Sequence, residues 1–524
     1  MDTPGHVLEP IAAVWDRDPD RPAVTDPDGT LDYGGMNETS AAVAALLREQ
    51  GVQAGEPVAV HMAASRWAIA ALIGVLRAGA CFVAVDRAFP PGRQEAMLEA
   101  SGARVVLDGH AIRQLKPHSD NPDNLDKSDN PEPEPEPEPD FNLDPADRWQ
   151  STEASTPAYI CFTSGSTGVP KGVAISVSAL AFSTAARPAY YSEPVRGFVL
   201  CSSLSFDSAY AGIFWALIDG GTLHMPSPRP GDLLAIGRAA REQAASHLLM
   251  IPSLYGVALK GGLAENLRGL DAVIVAGEAC PPSLVRAHFE ALPEVALYNE
   301  YGPTECTVWT TVHRCSPEDV DTTNPTDAAD TAVRTVPIGT PIPGARLHIS
   351  AEDSELWIGG PGVALGYTGP GVDDDDRARF FTDESGLWYR TGDRVTLRPD
   401  GAFAFAGRVD RQLKVGGVRI EPEEIEAVVS GHESVIAAGV TAVPPILVAV
   451  LETADGAPVP LGRLRAHLRS RLPAAAIPSE FVFVDALPRL PNGKLDRNAL
   501  DQLVPARTGS VRKPLRNTDR SRSA

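Results

Sequence analysis

The chain predicts an α/β fold, with helices layered on largely parallel sheets and a change of character near residue 410. Three observations lead there. Short apolar runs alternate with helix-like stretches, as in Pro57-Val-Ala-Val-His61 followed by Trp67 to Leu76. The same succession recurs in Ala272-Val-Ile-Val-Ala276 followed by Pro282 to Leu292. Strands and helices taking turns in this way build layers around parallel sheets. Beyond Asp410 the pattern gives way to Arg-Gln-Leu-Lys-Val and then to an acidic helix start at Pro422-Glu-Glu-Ile-Glu, so a domain boundary is expected there. No internal repeat is evident.

Length and composition agree with a large enzyme. The chain has 524 residues, beyond one ordinary domain, and its 43% hydrophobic content can support a sizeable core. No stretch approaches the roughly 20 apolar residues that span a bilayer. The start, Met1-Asp-Thr-Pro-Gly, lacks the basic and apolar regions of a signal peptide, so a cytoplasmic location and no membrane partner are expected. The six cysteines (Cys81, Cys161, Cys201, Cys280, Cys306 and Cys315) are scattered, mostly inside apolar runs, and read as reduced core residues rather than ligands.

A net charge of −22 argues against general affinity for nucleic acid, which rests on clustered basic residues. Part of this charge is local. Between Lys116 and Asp140 nine acidic residues face two lysines, in a run that includes Pro131-Glu-Pro-Glu-Pro-Glu-Pro-Glu-Pro139. Such a segment cannot bury enough apolar surface to fold, and alternating proline favours an extended polyproline helix. A solvated, disordered insertion over about 116–145 is expected, a spacer rather than a docking element. The stretch after Pro505 is opposite in sign, with six basic residues from Arg507 to Arg522 against Asp519, and is expected to be a disordered basic tail.

The stretch richest in chemistry is Thr163-Ser-Gly-Ser-Thr-Gly-Val-Pro-Lys171-Gly172, directly after the apolar run Ala158-Tyr-Ile-Cys-Phe162. A strand followed by a phosphate-holding loop has this form. Glycines let backbone approach an anion, hydroxyls and N–H groups donate to its oxygens, and a lysine adds positive charge. The alternative is a merely flexible Gly/Ser turn. A Walker A reading fails, because Pro170 precedes Lys171 and Gly172 follows it.

Five further segments accompany this loop. They are Leu76-Arg-Ala-Gly-Ala-Cys-Phe-Val-Ala-Val-Asp86, Asn299-Glu-Tyr-Gly-Pro-Thr-Glu305, Tyr389-Arg-Thr-Gly-Asp393, the stretch from Gly407 to Glu426, and Pro491-Asn-Gly-Lys494. In this order and spacing the chain resembles the adenylate-forming superfamily, particularly the amino-acid adenylation domains of non-ribosomal peptide synthetases, over nearly its whole length. One departure is visible: Val177 stands six residues after Lys171, where the family usually has histidine. The resemblance implies an N-terminal adenylation domain over 1–409, a small mobile α+β C-terminal domain over 410–505 with Asp410 at the hinge, and the tail over 506–524.

The resemblance also implies the chemistry. A carboxylate attacks the α-phosphate of ATP to give an acyl-adenylate and pyrophosphate, and a thiol then displaces AMP. Thr163, Ser164, Gly165, Ser166, Thr167 and Lys171 would hold the leaving phosphates, and Glu305 would bind Mg²⁺, a hard cation that takes oxygen ligands. Asn299 would hydrogen-bond adenine and Tyr301 would stack on it, within the segment that also holds Gly302 and Thr304, while Gly277, Glu278 and Ala279 form the opposite wall. Asp393 would accept both ribose hydroxyls, assisted by Arg408. Lys494 matches the lysine that reaches the carboxylate and α-phosphate and is expected to be the main catalytic cation. The Gly416-Gly417 loop would line the path of a pantetheine arm after one domain rotation.

Substrate class is argued from Phe206-Asp207-Ser-Ala-Tyr-Ala-Gly-Ile-Phe214, which aligns with the start of the family's amino-acid pocket. A carboxylate buried beside Ile274 and Val308 is costly unless it meets a cation, so Asp207 favours an amine-bearing substrate. Its rival reading is a helix N-cap after Phe206. The other pocket positions are Ser208, Ala211, Leu249, Ile274, Ala276, Glu300, Val308 and Trp309. The bulk of Trp309 and Leu249 favours a small neutral amino acid, although Ala211 leaves room beside Ser208 and Glu300 at the mouth would select a polar or basic group. No Gly-Gly-x-Ser carrier motif appears, so a free-standing enzyme that loads a separate carrier protein, through a phosphopantetheine thiol or a tethered amine, is expected in natural-product biosynthesis. The alternatives are an acyl- or aryl-CoA ligase of the same superfamily and, more distantly, a non-catalytic nucleotide-binding protein.

Overall fold

The computed structural model describes residues 5–109, 112, 152–163, 170–320, 336–410, 413–415, 418–443, 446–489 and 495–504. The Pro/Glu insertion, Ser164 to Thr167, Gly416, Gly417, Lys494 and the basic tail lie outside the described residues.

Three sheets build the large N-terminal domain among the described residues. The widest has nine strands, and its parallel centre runs Ala296–Tyr301, Ala272–Ala276, His247–Met250, Gly197–Val199, Thr222–His224 and Pro22–Asp26 in spatial order. Antiparallel strands close both edges. A six-stranded sheet sets Val105–Leu107, Pro57–Val60, Cys81–Ala84 and Pro157–Thr163 in parallel, then adds Lys171–Ser176 and Gly366–Thr368 antiparallel. The apolar run before the phosphate-loop segment is thus a central strand, as its composition demands: five of its seven residues are buried.

The third sheet departs from the expectation of parallel pairing. Strands Arg346–Ile349, Glu355–Gly359, Gly386–Leu397, Phe380–Asp383 and Phe403–Arg408 are all antiparallel. Short turns join most of them, and a parallel pair would need a longer crossover. Its register places Asp393 opposite Arg408.

Local chemistry accounts for the helices that carry the site. Ser65 caps Arg66–Arg77 by accepting from the Ala68 amide at 3.3 Å, and every residue of that helix is buried between the sheets. Ser176 caps Val177–Tyr190, accepting from the Ala179 amide at 3.1 Å, so Val177 is a buried first helical residue. The helix Asp207–Ile218 is apolar all round, which suits a core position. Gly212 lets it close on Phe198: a Cβ there would come within 2.2 Å of the ring.

Residues from Val415 to Val504 pack in two apolar clusters of their own, with no member from the N-terminal sheets among the described residues. This smaller domain contains the hairpin Leu413–Val415 and Val418–Ile420, the helix Pro422–Ser430 and the sheet Ala437–Val443, Ile446–Glu452 and Glu480–Val484. Among the described residues two buried ion contacts join it to the larger one. Arg93 Nη1 donates to Glu424 Oε1 at 3.0 Å, and Lys171 Nζ lies 4.0 Å from Glu421.

Candidate active site

A cavity of about 410 Å³ opens where the two parallel sheets present their strand ends, the usual place for a ligand in an open α/β sheet. Thr163 comes to it from the six-stranded sheet, Leu249, Ala276, Gly277 and Glu300 from the nine-stranded one, Asp207 and Ser208 from a helix start, Gly302, Thr304 and Val308 from the loop after Tyr301, and Asp393 and Arg408 from the third sheet. Ala211, Ile274 and Trp309 do not line it and belong to the buried layer behind. The room that Ala211 was expected to open beside Ser208 is therefore core.

Asp207 is the first residue of its helix, with Phe206 at the capping position. The N-cap reading of Asp207 is therefore not borne out: Phe206 holds that position without a side-chain cap, and Asp207 stands in the cavity wall. Burial raises its carboxyl from 3.8 to about 6, against the opposing hydrogen bonds of Thr304 and the Ser208 amide, and the nearby Glu305 charge raises it further. A cation brought to this wall would relieve both carboxylates.

Thr304 and Glu305 are held by a tight loop. Gly302 stands where a Cβ would meet Trp309 Cα at 2.5 Å. Thr307 and Val308 take φ values of 55° and 78°, a conformation that costs β-branched residues about 1–3 kcal/mol each and that the surrounding packing must enforce. Glu305 is wholly buried and accepts from the Tyr367 hydroxyl. An anionic oxygen donor beside Asp207 fits a hard divalent cation such as Mg²⁺.

A second charged group lies on the third sheet. Asp393 accepts from the Tyr301 hydroxyl at 2.6 Å and from Arg408 Nη1. Arg408 also grips Asp410 through Nε at 2.5 Å and Nη2 at 2.7 Å, and Arg379 holds the same carboxylate at 3.0 Å. Burial alone would raise Asp410, but the two guanidiniums hold it below the usual carboxylate range. Asn299 is buried, with its amide nitrogen donating to the Pro337 carbonyl at 2.8 Å. Glu278 accepts from the Ser253 amide at 2.9 Å, and Ala279 beside it is exposed.

Two expectations need correction. Lys171 is not in the cavity wall: its ammonium is buried, donates to Asp376 Oδ1 at 2.5 Å and sits over the Tyr367 ring. It would reach phosphates only by leaving that pair. Glu300 faces the cavity, but its charge is already met by Arg187, which donates from Nη1 at 2.8 Å and Nη2 at 3.1 Å, and by the Tyr191 hydroxyl. A side chain so neutralised does not select a basic group.

Arg187, Tyr191, Asp376, Tyr367 and Arg379 were missed by sequence reasoning. One signal was available: Arg187 is a lone cation in the otherwise uncharged helix Val177–Tyr190. The six cysteines are buried and free. Donor atoms of Cys315, His313 and Asp319 lie within 4.8 Å of one another, but His313 already bonds Asp319 at 3.0 Å and burial holds the thiol in its protonated form.

Comparison with known proteins agrees with this geometry. Residues 11–368 match the AMP-binding enzyme family, and residues 424–494 match the AMP-binding enzyme C-terminal domain. Phosphinothricin tripeptide synthetase PhsC of Streptomyces viridochromogenes is 34% identical over 516 residues, covering 92% of this chain and 44% of PhsC, so the chain spans less than half of that relative. Novobiocin biosynthesis protein H of Streptomyces niveus is 32% identical over 524 residues, covering 95% of this chain and 83% of its own length. Among solved structures, NpsA-ThdA, an artificially fused adenylation–PCP di-domain from Klebsiella oxytoca, superposes with a TM-score of 0.75 at 25% identity, covering 91% of this chain and 93% of that one. The chain therefore belongs to the AMP-binding enzyme family and is an adenylate-forming ligase. NpsA-ThdA is itself an adenylation–PCP protein of the non-ribosomal peptide synthetase type. Among the described residues no helix is long and apolar enough to cross a membrane.

Proposed function

We propose that this ligase activates a small neutral amino acid as its aminoacyl adenylate, with ATP and Mg²⁺, and passes it to a separate carrier protein. The observation that carries this reading is Asp207, a carboxylate lifted to about 6 by burial in the cavity wall and met by no cation among the described residues. A substrate ammonium supplies that partner and leaves the substrate carboxylate to face the nucleotide.

Such phosphoryl chemistry is mainly positioning and charge neutralisation. A substrate carboxylate oxygen attacks the α-phosphorus, the bond to the bridging oxygen breaks, and pyrophosphate leaves. Mg²⁺, held by Glu305, would neutralise developing phosphate charge. Asp393 would accept the ribose hydroxyls while Tyr301 and Arg408 keep its carboxylate fixed. Thr163 stands at the end of its strand for phosphate contact. Ser164, Gly165, Ser166, Thr167 and the catalytic cation Lys494, which lie outside the described residues, complete the proposal. In the second half-reaction a phosphopantetheine thiol, or an amine tethered to the carrier, attacks the acyl carbon and AMP leaves. Asp410, clamped by Arg408 and Arg379, is the proposed hinge.

The test is amino-acid-dependent exchange of labelled pyrophosphate into ATP, across proteinogenic amino acids and aryl and fatty acids. Exchange with small neutral amino acids that is lost in Asp207→Ala and Lys494→Ala is the expected outcome. Exchange only with acids lacking an amine would move the enzyme to the acyl- or aryl-CoA ligase class.

A further inference from the structure

The geometry points to Arg187 as a hidden specificity determinant: it stands behind the Glu300 part of the cavity wall and neutralises that carboxylate, so that an uncharged side chain is favoured there. This inference rests on the amino-acid reading of the site given above.

Glu300 is part of the cavity wall, and Arg187 is not. Both side chains are almost wholly buried, at 2% and 1% exposure, so neither charge is eased by water. The pairing is bidentate, and the Tyr191 hydroxyl takes up further acceptor capacity of the carboxylate. Arg187 is fixed from its other side as well. Its guanidinium lies 4.4 Å from the Trp309 ring centroid and 5.3 Å from that of Trp215, which favours a planar cation held in one orientation. Glu300 therefore presents the cavity with a carboxylate that carries its own counter-ion.

Two consequences follow. A substrate side chain carrying a cation meets no unbalanced negative charge at Glu300, and it would have to displace a fixed guanidinium to gain one. The Arg187 side chain and the rings packed on it fill the layer behind Glu300, so the cavity does not extend past that wall. Pocket specificity of this kind lies in a residue that touches no substrate.

Two variants test this by the ratio of exchange rates between substrates, which the folded fraction of enzyme does not affect. Arg187→Ala leaves the Glu300 carboxylate unmatched beside a cavity of arginine size. Ornithine or lysine can fill that space and restore the charge pair, so the ornithine-to-alanine ratio of kcat/KM should rise by about a hundredfold, the scale of a specific pocket contact. The double variant Arg187→Ala with Glu300→Ala removes both members of the pair and so leaves neither charge buried and unmatched. It should gain leucine and phenylalanine over alanine by at least about tenfold, with no gain for ornithine.

Unchanged ratios in the folded double variant would overturn the inference, as would a single variant that gains no cationic substrate. If wild type exchanges only with acids lacking an amine, the amino-acid reading falls. The same variants, assayed with longer and cationic members of that acid series, then test the role of Arg187 by the same ratios.

Discussion

Replacing Asp207 by asparagine should make the ligand-free protein more stable and the enzyme nearly inactive. Burial lifts this carboxyl from 3.8 to about 6, and each pKa unit corresponds to about 1.4 kcal/mol, so the ionised group costs the folded state about 3 kcal/mol at neutral pH. The folded-state value lies above the unfolded one. The cost is therefore fully present above pH 6, shrinks as pH falls from 6 to 3.8, and is absent below that. Asparagine keeps the shape and a partner for Thr304 without the charge. Urea unfolding of Asp207→Asn should show a gain of up to about 3 kcal/mol at pH 8 that largely disappears at pH 4. Activity should move the other way. The ammonium of a bound amino acid loses its counter-charge, a change of about 3–5 kcal/mol, or roughly two to three decades in kcat/KM for pyrophosphate exchange. In wild type, kcat/KM for the amino acid should fall about tenfold per unit below pH 6, and the variant should lack that slope. A variant that keeps exchange within about threefold of wild type, or that is less stable at pH 8, would refute the reasoning.

Four other outcomes follow from the same geometry. Tyr301→Phe removes a short hydrogen bond to the Asp393 carboxyl group, a loss of about 1.5–3 kcal/mol, and should raise KM for ATP by about tenfold or more with little change in KM for the amino acid. Glu305→Gln should shift the Mg²⁺ concentration needed for half-maximal exchange upward by at least about tenfold, since a neutral amide is a weaker ligand for a hard cation. Lys171→Met leaves the Asp376 charge buried and unmatched and should destabilise the protein by about 3 kcal/mol, with much of the loss recovered in Lys171→Met with Asp376→Asn, as a double-mutant cycle in urea would record. Arg93→Met removes the partner of Glu424, whose carboxyl burial already raises. Docking of the smaller domain should then weaken as pH rises, seen as faster limited proteolysis near Asp410.

The sequence by itself determined the class of this protein and the outline of its site. Alternating apolar and helix-like runs are local properties, so the strands at Pro57–Val60 and Ala272–Ala276 and the helices at Arg66–Arg77 and Pro282–Ala291 were legible where they stand. Motif residues such as Thr304, Asp207 and Asp393 were legible because their chemistry is carried by side-chain type at fixed spacing, and the fold brings them to one cavity. Tertiary structure alone decided which charges are free to act. Lys171 and Glu300 look available in the chain, yet their partners Asp376 and Arg187 lie 205 and 113 residues away in sequence. The antiparallel pairing of the third sheet was likewise absent from the local pattern, although the family resemblance already set Arg408 beside Asp393. For Lys171 and Glu300 the physical reason is the same: a charge buried at low dielectric must find its counter-charge through the fold, and no periodicity or spacing along the chain records that partner.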